Sequence, residues 1–447
     1  MSQAGSSTAT AATAGTNHEV VNLDQLVQEI TTSTDSKALN VRLHTFGGKD
    51  RDRLLSGILT NGQDPLASLD PEQHTLGYLY ILSARLSPNP GHHHPSLRVI
   101  EDFCLRFKPE EARLAPERVT TLAKNIVHVT SQNLKYALTP LYNLLTRYPP
   151  SRSTLTTIHT HFITSCVTVH HYATALPVLS HPITNVDPKL TDLTYNDNLL
   201  YHYCGGVAFA ALKRWEKAEE FFEICVTAPG TIPAAIQLEA LKKLTLVQLI
   251  LYGKTKPTPK YTNAVLGRLL RASAYGNFVR EYPASISKLQ TSISKDIETY
   301  NTEKNMGLIN QVIQRAPRWL IRKLTSTYVT LGLGDIAKEI GSSSEDEVRA
   351  TIVSMIEAGE INATISVDGN VTFSDLTTTV TKAQIDQALK NAQAQSKLLL
   401  ELERTLTSSK EYLSKALKQR ENDSYAMDDD DGPGGPPSTF NQWGDIL

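Results

Sequence analysis

Two stretches of this sequence carry histidines at a spacing that could hold a divalent metal. One is "HHH" at His92 to His94, set between Pro90 and Pro95; the other is "HTH" at His159 to His161, followed by His170 and His171. Two imidazoles one residue apart make half of a hydrolytic zinc site, which also needs a third protein ligand and an open position for the activated water. In a zinc isopeptidase of the His-x-His type, a serine and then an aspartate follow at fixed spacing. The serine position falls on Asp102 when counted from His94 and on Val169 when counted from His161, so neither set is completed. The bland alternative, surface or core histidines, fits both stretches, and His159, His161, His170 and His171 are the constellation on which an enzyme would have to be built.

Other strings imitate chemistry and fail on physics. "GLGDIA", Gly332 to Ala337, reads as a dinucleotide fingerprint, but the helix it opens has about two turns and runs into another helix where a βαβ unit needs its second strand. Asp335 would also set a carboxylate beside the anion that such a loop must cradle. "GKT" at Gly253 to Thr255 has Gln248 where a phosphate loop needs its first glycine. No Gly-x-Ser-x-Gly elbow is present, and Cys104, Cys166, Cys204 and Cys225 lie far apart without a C-x-x-C pair. Such thiols suit burial in a reducing compartment better than a disulfide frame or a zinc site. No catalytic residue, cofactor or metal is implied, and the chain reads as a non-enzyme.

The chain has 447 residues, with 44 basic and 46 acidic side chains and a formal net charge of −2. That balance gives no overall field to draw in nucleic acid or an anionic bilayer, and it favours protein partners. Residues 1–22, rich in Ala, Ser, Thr and Gly, fit neither a secretory signal nor a membrane span and read as a disordered tail. The most apolar helix, "LEALKKLTLVQLILYG", is interrupted by Lys242, Lys243 and Gln248, which marks a core helix and not a membrane one.

The elements that position everything are helices. From about Leu23 to Tyr300 apolar residues recur at three- and four-residue spacing, punctuated by "RYPPS", "SHPITNVDPK" and "KPTPK". In "LDPEQHTLGYLYILSARL" Asp70 can cap, Pro71 fixes φ at the first helical position, and Gln73 stands where a capping box places its reciprocal partner. Gly206, Phe209, Ala218 and Phe222 carry the separations of a tetratricopeptide-like helix pair, and Cys166, Ala175 and Leu179 repeat the later steps. Stacked pairs of this kind form a solenoid over 23–200, extended by further helices over 201–302.

The pattern changes near Leu308. "LINQVIQRAPRWLIRKL" is one or two helices, "TYVTLGL" a short β-rich stretch, and "GDIAKEIG" a short helix with Ile336 and Ile340 on one face. A second helix, about Ser344 to Ala358, puts Val348, Ile352, Met355 and Ile356 on one side. Then "EINATISVDGNVTF" forms a hairpin turning at Asp368-Gly369, with Ile361, Ala363, Ile365 and Val367 facing one way and Val371 and Phe373 following. Strand, helix, helix, strand, turn, strand is the order of a winged helix, here over 303–375. Such units often read DNA, but between Gly341 and Glu360 there is one base, Arg349, against Glu345, Asp346, Glu347, Glu357 and Glu360. That surface repels phosphates. The outer strand of the hairpin can instead pair with a neighbouring sheet.

Beyond the linker "DLTTTVTK", a helix from about Ala383 sets Ile385, Ala392, Leu399, Leu406 and Leu413 seven residues apart, inside a segment taken as 376–420. The intermediate positions are only partly apolar, so the helix reads as a member of a larger bundle and not of a two-stranded coil. Residues 421–447, an acidic run and a Pro/Gly spacer ending in "FNQWGDIL", read as a disordered tail. Phe440, Trp443, Ile446 and Leu447 form a possible short docking motif within it.

Helical repeats running into a winged helix resemble the PCI-domain family, shared by the proteasome lid, the COP9 signalosome and a translation initiation factor complex. Within it, "LDPEQHTLGYLYILSARL" and "NMGLINQVI... IRKLTSTYVTLGLGDIAKEIG... VSMIEAGEINATI" are similar to the third-subunit family of the COP9 signalosome. The second block includes Asn305, Gly307, Leu308, Leu324, Thr325 and Tyr328, and later Met355, Gly359, Glu360 and Ile361. Met306 stands where a tryptophan is expected. The resemblance implies a non-catalytic scaffold in the cytoplasm and nucleus, within the complex that removes Nedd8 from cullin-RING ubiquitin ligases. The isopeptidase would lie in another subunit and the ring neighbours would resemble subunits one and eight, with no nucleic acid or membrane as partner. It also implies that Ile361, Ile365, Val367, Val371 and Phe373 serve the winged helix in assembly, while Ile385, Leu399, Leu406 and Leu413 enter a helical bundle. A proteasome-lid subunit of the same architecture is the alternative.

Overall fold

A computed structural model of the chain describes residues 22–47, 50–87, 94–342, 344–375 and 381–427. His92, His93, the tail before Asn22 and the terminal "FNQWGDIL" lie outside the described residues. The chain divides into two units, 1–374 and 375–447.

The first unit is built from antiparallel helix pairs around three successive cores. The first gathers residues from Leu23 to Leu266, the second from Leu246 to Ala316, and the third from Ile321 to Phe373. One helix, Met306–Thr325, belongs to two of them: Ile309, Val312, Ile313 and Ala316 enter the second and Ile321 the third. The stretch expected to hold one or two helices is thus a single one, running through Pro317.

The repeat signal is a physical crossing. In the pair Tyr195–Ala211 and Trp215–Thr227, a Cβ placed on Gly206 would lie 2.7 Å from Cδ1 of Phe222, and one on Gly205 would lie 2.5 Å from Cδ1 of Phe221. Only hydrogen fits there, so the two backbones approach closely. Cys166, Ala175 and Leu179 hold the matching places in Thr157–Thr168 and Tyr172–Leu179, and all three are buried.

The turn between paired helices is also repeated. His170 (φ 59) and Lys213 (φ 57) are left-handed, and the next N–H, of His171 or Arg214, reaches back to the carbonyl of Cys166 or Phe209 at 2.9 Å. Lys304 (φ 56) does the same, with Asn305 N–H on Tyr300 C=O at 2.9 Å. Tyr300, Ile309 and Ile313 therefore repeat the places of Phe209, Ala218 and Phe222, and the stacking continues into the helix that carries the winged helix.

Local signals misplaced some details. Asp70 accepts from the N–H groups of Glu72 and Gln73, but the group returning to Asp70 N–H is Nδ1 of His74 at 3.2 Å, not Gln73, and the helix begins at Thr75. Just after "RYPPS", Thr154–Leu155 pairs with Asn185–Val186 of "SHPITNVDPK" in a short parallel bridge.

The interrupted apolar helix, Ala235–Tyr252, buries Lys242, Lys243 and Gln248 by giving each a partner. Lys242 Nζ lies 2.6 Å from carboxylate oxygens of both Glu239 and Glu303. Glu303 accepts from Tyr275 Oη at 2.7 Å, and the buried Asn305 amide donates to the same hydroxyl at 2.6 Å. Gln248 donates to Glu219 at 3.1 Å. These bonds tie the repeat helices to the turn that launches Met306–Thr325.

The four cysteines are buried and free. Burial pushes the thiols of Cys166 and Cys225 up to about 12 and that of Cys204 up to about 11, which keeps them protonated. Among the described residues no helix is long and apolar enough to cross a membrane.

Candidate assembly surfaces

The winged helix follows the expected order. Strand Thr330–Gly332, helices Leu333–Ile340 and Glu345–Glu357, and strands Asn362–Ile365 and Asn370–Ser374 occur in that sequence. Gly341, at φ 71, lets the chain turn between the helices, and Ser344 caps the second by accepting from Glu347 N–H. Ile336, Ile340, Val348, Ile352 and Met355 are buried, and Ile356 is half-buried. Both strand pairings are antiparallel, and the last strand, Asn370–Ser374, lies in the middle of the sheet.

That order decides what the five winged-helix residues can present. Val371 pairs with Leu331 on one side and Ile365 on the other, so its backbone has no outward edge. Ile361, Val371 and Phe373 are buried in the unit's own core. As side-chain contacts for a partner these three need correcting: they close the core under the two helices, and their side chains are used there. Ile365 is half-buried against the same core, on the edge strand Asn362–Ile365. Val367 does not share the inward face. It sits inside the turn that Gly369 closes by donating to Ser366 C=O at 3.1 Å, and it is fully exposed. The surface available to a neighbour is thus the strand edge with Ile365, and the tip at Val367.

The winged helix is clamped to the long helix by one carboxylate. Oε1 of Glu360 accepts from Arg315 at 2.8 Å and from Arg318 at 2.9 Å, while Arg318 also donates to Ser354 at 2.5 Å. Glu360 follows Gly359 (φ 66), and its N–H returns to Met355 C=O at 2.9 Å, which aims the side chain at the arginines.

In the second unit, helix Lys382–Thr407 opens on a capping box between Thr381 and Gln384, and none of its residues is buried. Ile385 is 54 % exposed, Leu399 68 % and Leu406 59 %. At 100° per residue, Leu389 and Leu400 flank this seam on one side and Leu398 and Leu402 on the other. The apolar face is too wide for one partner helix. The seam is not carried on one helix, however. The chain breaks at Ser408-Ser409, where Ser408 N–H bonds to Arg404 C=O and Ser409 Oγ takes Tyr412 N–H at 3.2 Å. Leu413 lies on a separate helix, Lys410–Met427, which also runs past the expected end of the bundle segment into the region expected to be tail. Hydroxyls that compete for backbone groups explain the break.

The histidines lie elsewhere. His159 is buried in the first core, with Nδ1 accepting from Thr156 N–H at 3.2 Å; burial lowers its pKa to about 4, so it stays neutral. His161 is lowered for the same reason. Among the described residues no group of three His, Cys, Asp or Glu side chains is placed to hold a metal ion.

Comparison with known proteins separates the helical repeats from the winged-helix part of the chain. Residues 40–266 match the family model described as COP9 signalosome complex subunit 3, N-terminal helical repeats, and residues 288–375 match the PCI domain. A protein of Dictyostelium discoideum named COP9 signalosome complex subunit 3 is 31% identical over 363 residues, covering 78% of this chain and 86% of the relative. A protein of the same name from Drosophila melanogaster is 32% identical over 334 residues, covering 69% of this chain and 75% of the relative. The repeat model is specific to one subunit type, which separates the chain from proteasome-lid subunits that share only the PCI domain. Helical repeats, a winged-helix PCI domain and this similarity over most of the chain agree: the chain belongs to the COP9 signalosome subunit 3 family.

Proposed function

We propose that this chain is a non-catalytic scaffold subunit of a COP9 signalosome, within the cytoplasmic and nuclear complex that removes Nedd8 from cullin-RING ligases. It joins other subunits through the winged-helix edge and the C-terminal helices, beside neighbours resembling subunits one and eight, and another subunit performs the isopeptidase step. The working division is repeats over 23–200, the PCI helical part over 201–302, the winged helix over 303–375 and the bundle segment over 376–420.

The exposed face of Lys382–Thr407 carries this reading. Burying one Leu or Ile is worth about 1.5–3 kcal/mol, so Ile385, Leu399, Leu406 and Leu413 together supply about 6–12 kcal/mol, against an association cost of about 4–15 kcal/mol. Four side chains barely offset that cost. Adding Leu389, Leu398, Leu400 and Leu402 makes association favourable, and only several surrounding helices can cover all eight.

The test is a tagged chain lacking Ala383 to Gln419, and a second carrying Leu399→Asp with Leu406→Asp, each purified from cells and weighed by native mass spectrometry. Both are expected to lose the co-purifying subunits while the first unit melts as before. Full assembly of either variant would refute the bundle role. The chain alone is expected to bind no stoichiometric zinc and to cleave no Nedd8 conjugate.

A further inference from the structure

Charge in this chain is nearly balanced overall but not locally. From Ala240 to Arg280 there are eight basic residues and no acidic one, and from Lys304 to Gly334 five basic residues and again none. The fold brings these two stretches together. The end of helix Ala235–Tyr252 and the face of Met306–Thr325 form the walls of a groove made of two adjoining hollows, of about 410 and 420 Å³, which share Leu251.

Among the described residues its cations are Lys213, Lys254, Arg315, Arg318, Arg322 and Lys323, and no Asp or Glu lines either hollow. Among the described residues, the one carboxylate bonded to any of the six is Glu360, shared by Arg315 and Arg318. Lys213, Lys254, Arg322 and Lys323 are exposed. Arg315, Arg318 and Arg322 stand three and four residues apart, so they project along one side of the helix. The floor is apolar, with Ile250 buried and Trp215 packed against both neighbouring cores.

We infer that this groove docks an acidic, extended segment of a partner protein, with carboxylates over the six cations and one large apolar side chain on the Ile250 and Trp215 floor. A single-stranded nucleic acid would need a run of aromatic faces on which to stack its bases. Among the described residues Trp215 is the one ring in its hollow, and Lys256 Nζ lies 3.9 Å from the centre of the Tyr252 ring. Trp319 offers no such face. One side of its ring lies on the backbone of Gly253, where a Cβ would come within 2.6 Å of Cδ2, and the guanidinium groups of Arg322 and Arg315 stand 5.4 and 6.0 Å from its centre. The acidic helix Glu345–Glu357, in the same unit, also opposes a long polyanion.

The experiment uses the full chain and fluorescence anisotropy. The probe is a labelled Asp/Glu-rich peptide with one central Leu, compared with its Asn/Gln counterpart, and matched-length oligouridylate is the competitor. The acidic peptide is expected to bind at least about tenfold more tightly than the amide peptide, and more weakly as salt rises. Reversing Lys213, Lys254 and Lys323 together to Glu is expected to weaken it by about tenfold or more. Among the described residues none of the three has an ion-pair partner, so the variant should keep its far-UV spectrum and melting point. Lys135→Glu, at an exposed position elsewhere, is expected to change nothing. Equal binding of the two peptides, or indifference to the triple reversal, would overturn the proposal. Displacement by oligouridylate at equal or lower concentration would overturn it in favour of a general polyanion surface.

Discussion

Replacing Gly205 with Ala tests whether the repeat crossing holds the solenoid together. In an open helix this change stabilises by about 1 kcal/mol, because alanine loses less backbone freedom on folding. At Gly205 the new Cβ would lie 2.5 Å from Cδ1 and 2.7 Å from Cε1 of Phe221, and 3.0 Å from Cδ2 of Leu179 on the preceding helix pair. Neither neighbour can yield freely, since Phe221 touches the rings of Tyr201, His202 and Phe209 and Leu179 is buried. Overpacking of this kind costs about 1–3 kcal/mol. With contacts on both sides the upper end applies, which leaves a net loss of about 2 kcal/mol. Gly307→Ala is the internal control: it is also helical, but among the described residues nothing beyond its chain neighbours and its own helix backbone stands within 4 Å of its Cβ position, so the propensity gain should survive. Urea unfolding followed by far-UV circular dichroism should move the two midpoints in opposite directions. Phe221→Leu should recover part of the Gly205→Ala loss, as expected for two side chains competing for one space. If Gly205→Ala unfolds at the parent midpoint or above it, the close crossing does not govern packing here.

Two further perturbations probe the rest of the first unit. Glu360→Gln removes the charge that two arginines share at 2.8 and 2.9 Å. The half-buried clamp should lose about 2 kcal/mol in urea unfolding, and hydrogen exchange should rise in Glu345–Glu357 before it rises in the repeats. His159 supplies a pH dependence: its pKa is about 4 in the folded state against 6.5 otherwise, so the unfolded chain binds the proton first as pH falls. Stability is therefore full above pH 6.5 and declines as pH drops toward about 4, by roughly 3 kcal/mol at most. His159→Gln, which can still accept from Thr156 N–H, should flatten that decline in melts recorded across the window.

What could be read from the sequence was whatever neighbouring residues settle among themselves. The winged-helix order was legible because each element is short, its apolar period is local, and Gly341, Gly359 and Gly369 punctuate it. The nine- and four-residue steps of the repeat were legible for the same reason. Reading failed where a distant or competing group intervened. His74 displaced Gln73 as the partner of Asp70, two adjacent serines broke a seven-residue seam that counting alone carries across, and a turn carried Val367 outward.

The sequence by itself determined the helix pairs, the strand-helix-helix-strand order and the apolar face of Lys382–Thr407, since propensity, caps and periodicity act over a few residues. Only the tertiary structure decided that the final strand is the central one, which removes Val371 and Phe373 from any edge. It also carried the repeat turn on to Lys304 and closed two acid-free stretches, some sixty residues apart at Lys254 and Arg315, into one groove. Those outcomes depend on which surfaces meet across long loops, and burial and charge decide that over the whole unit at once.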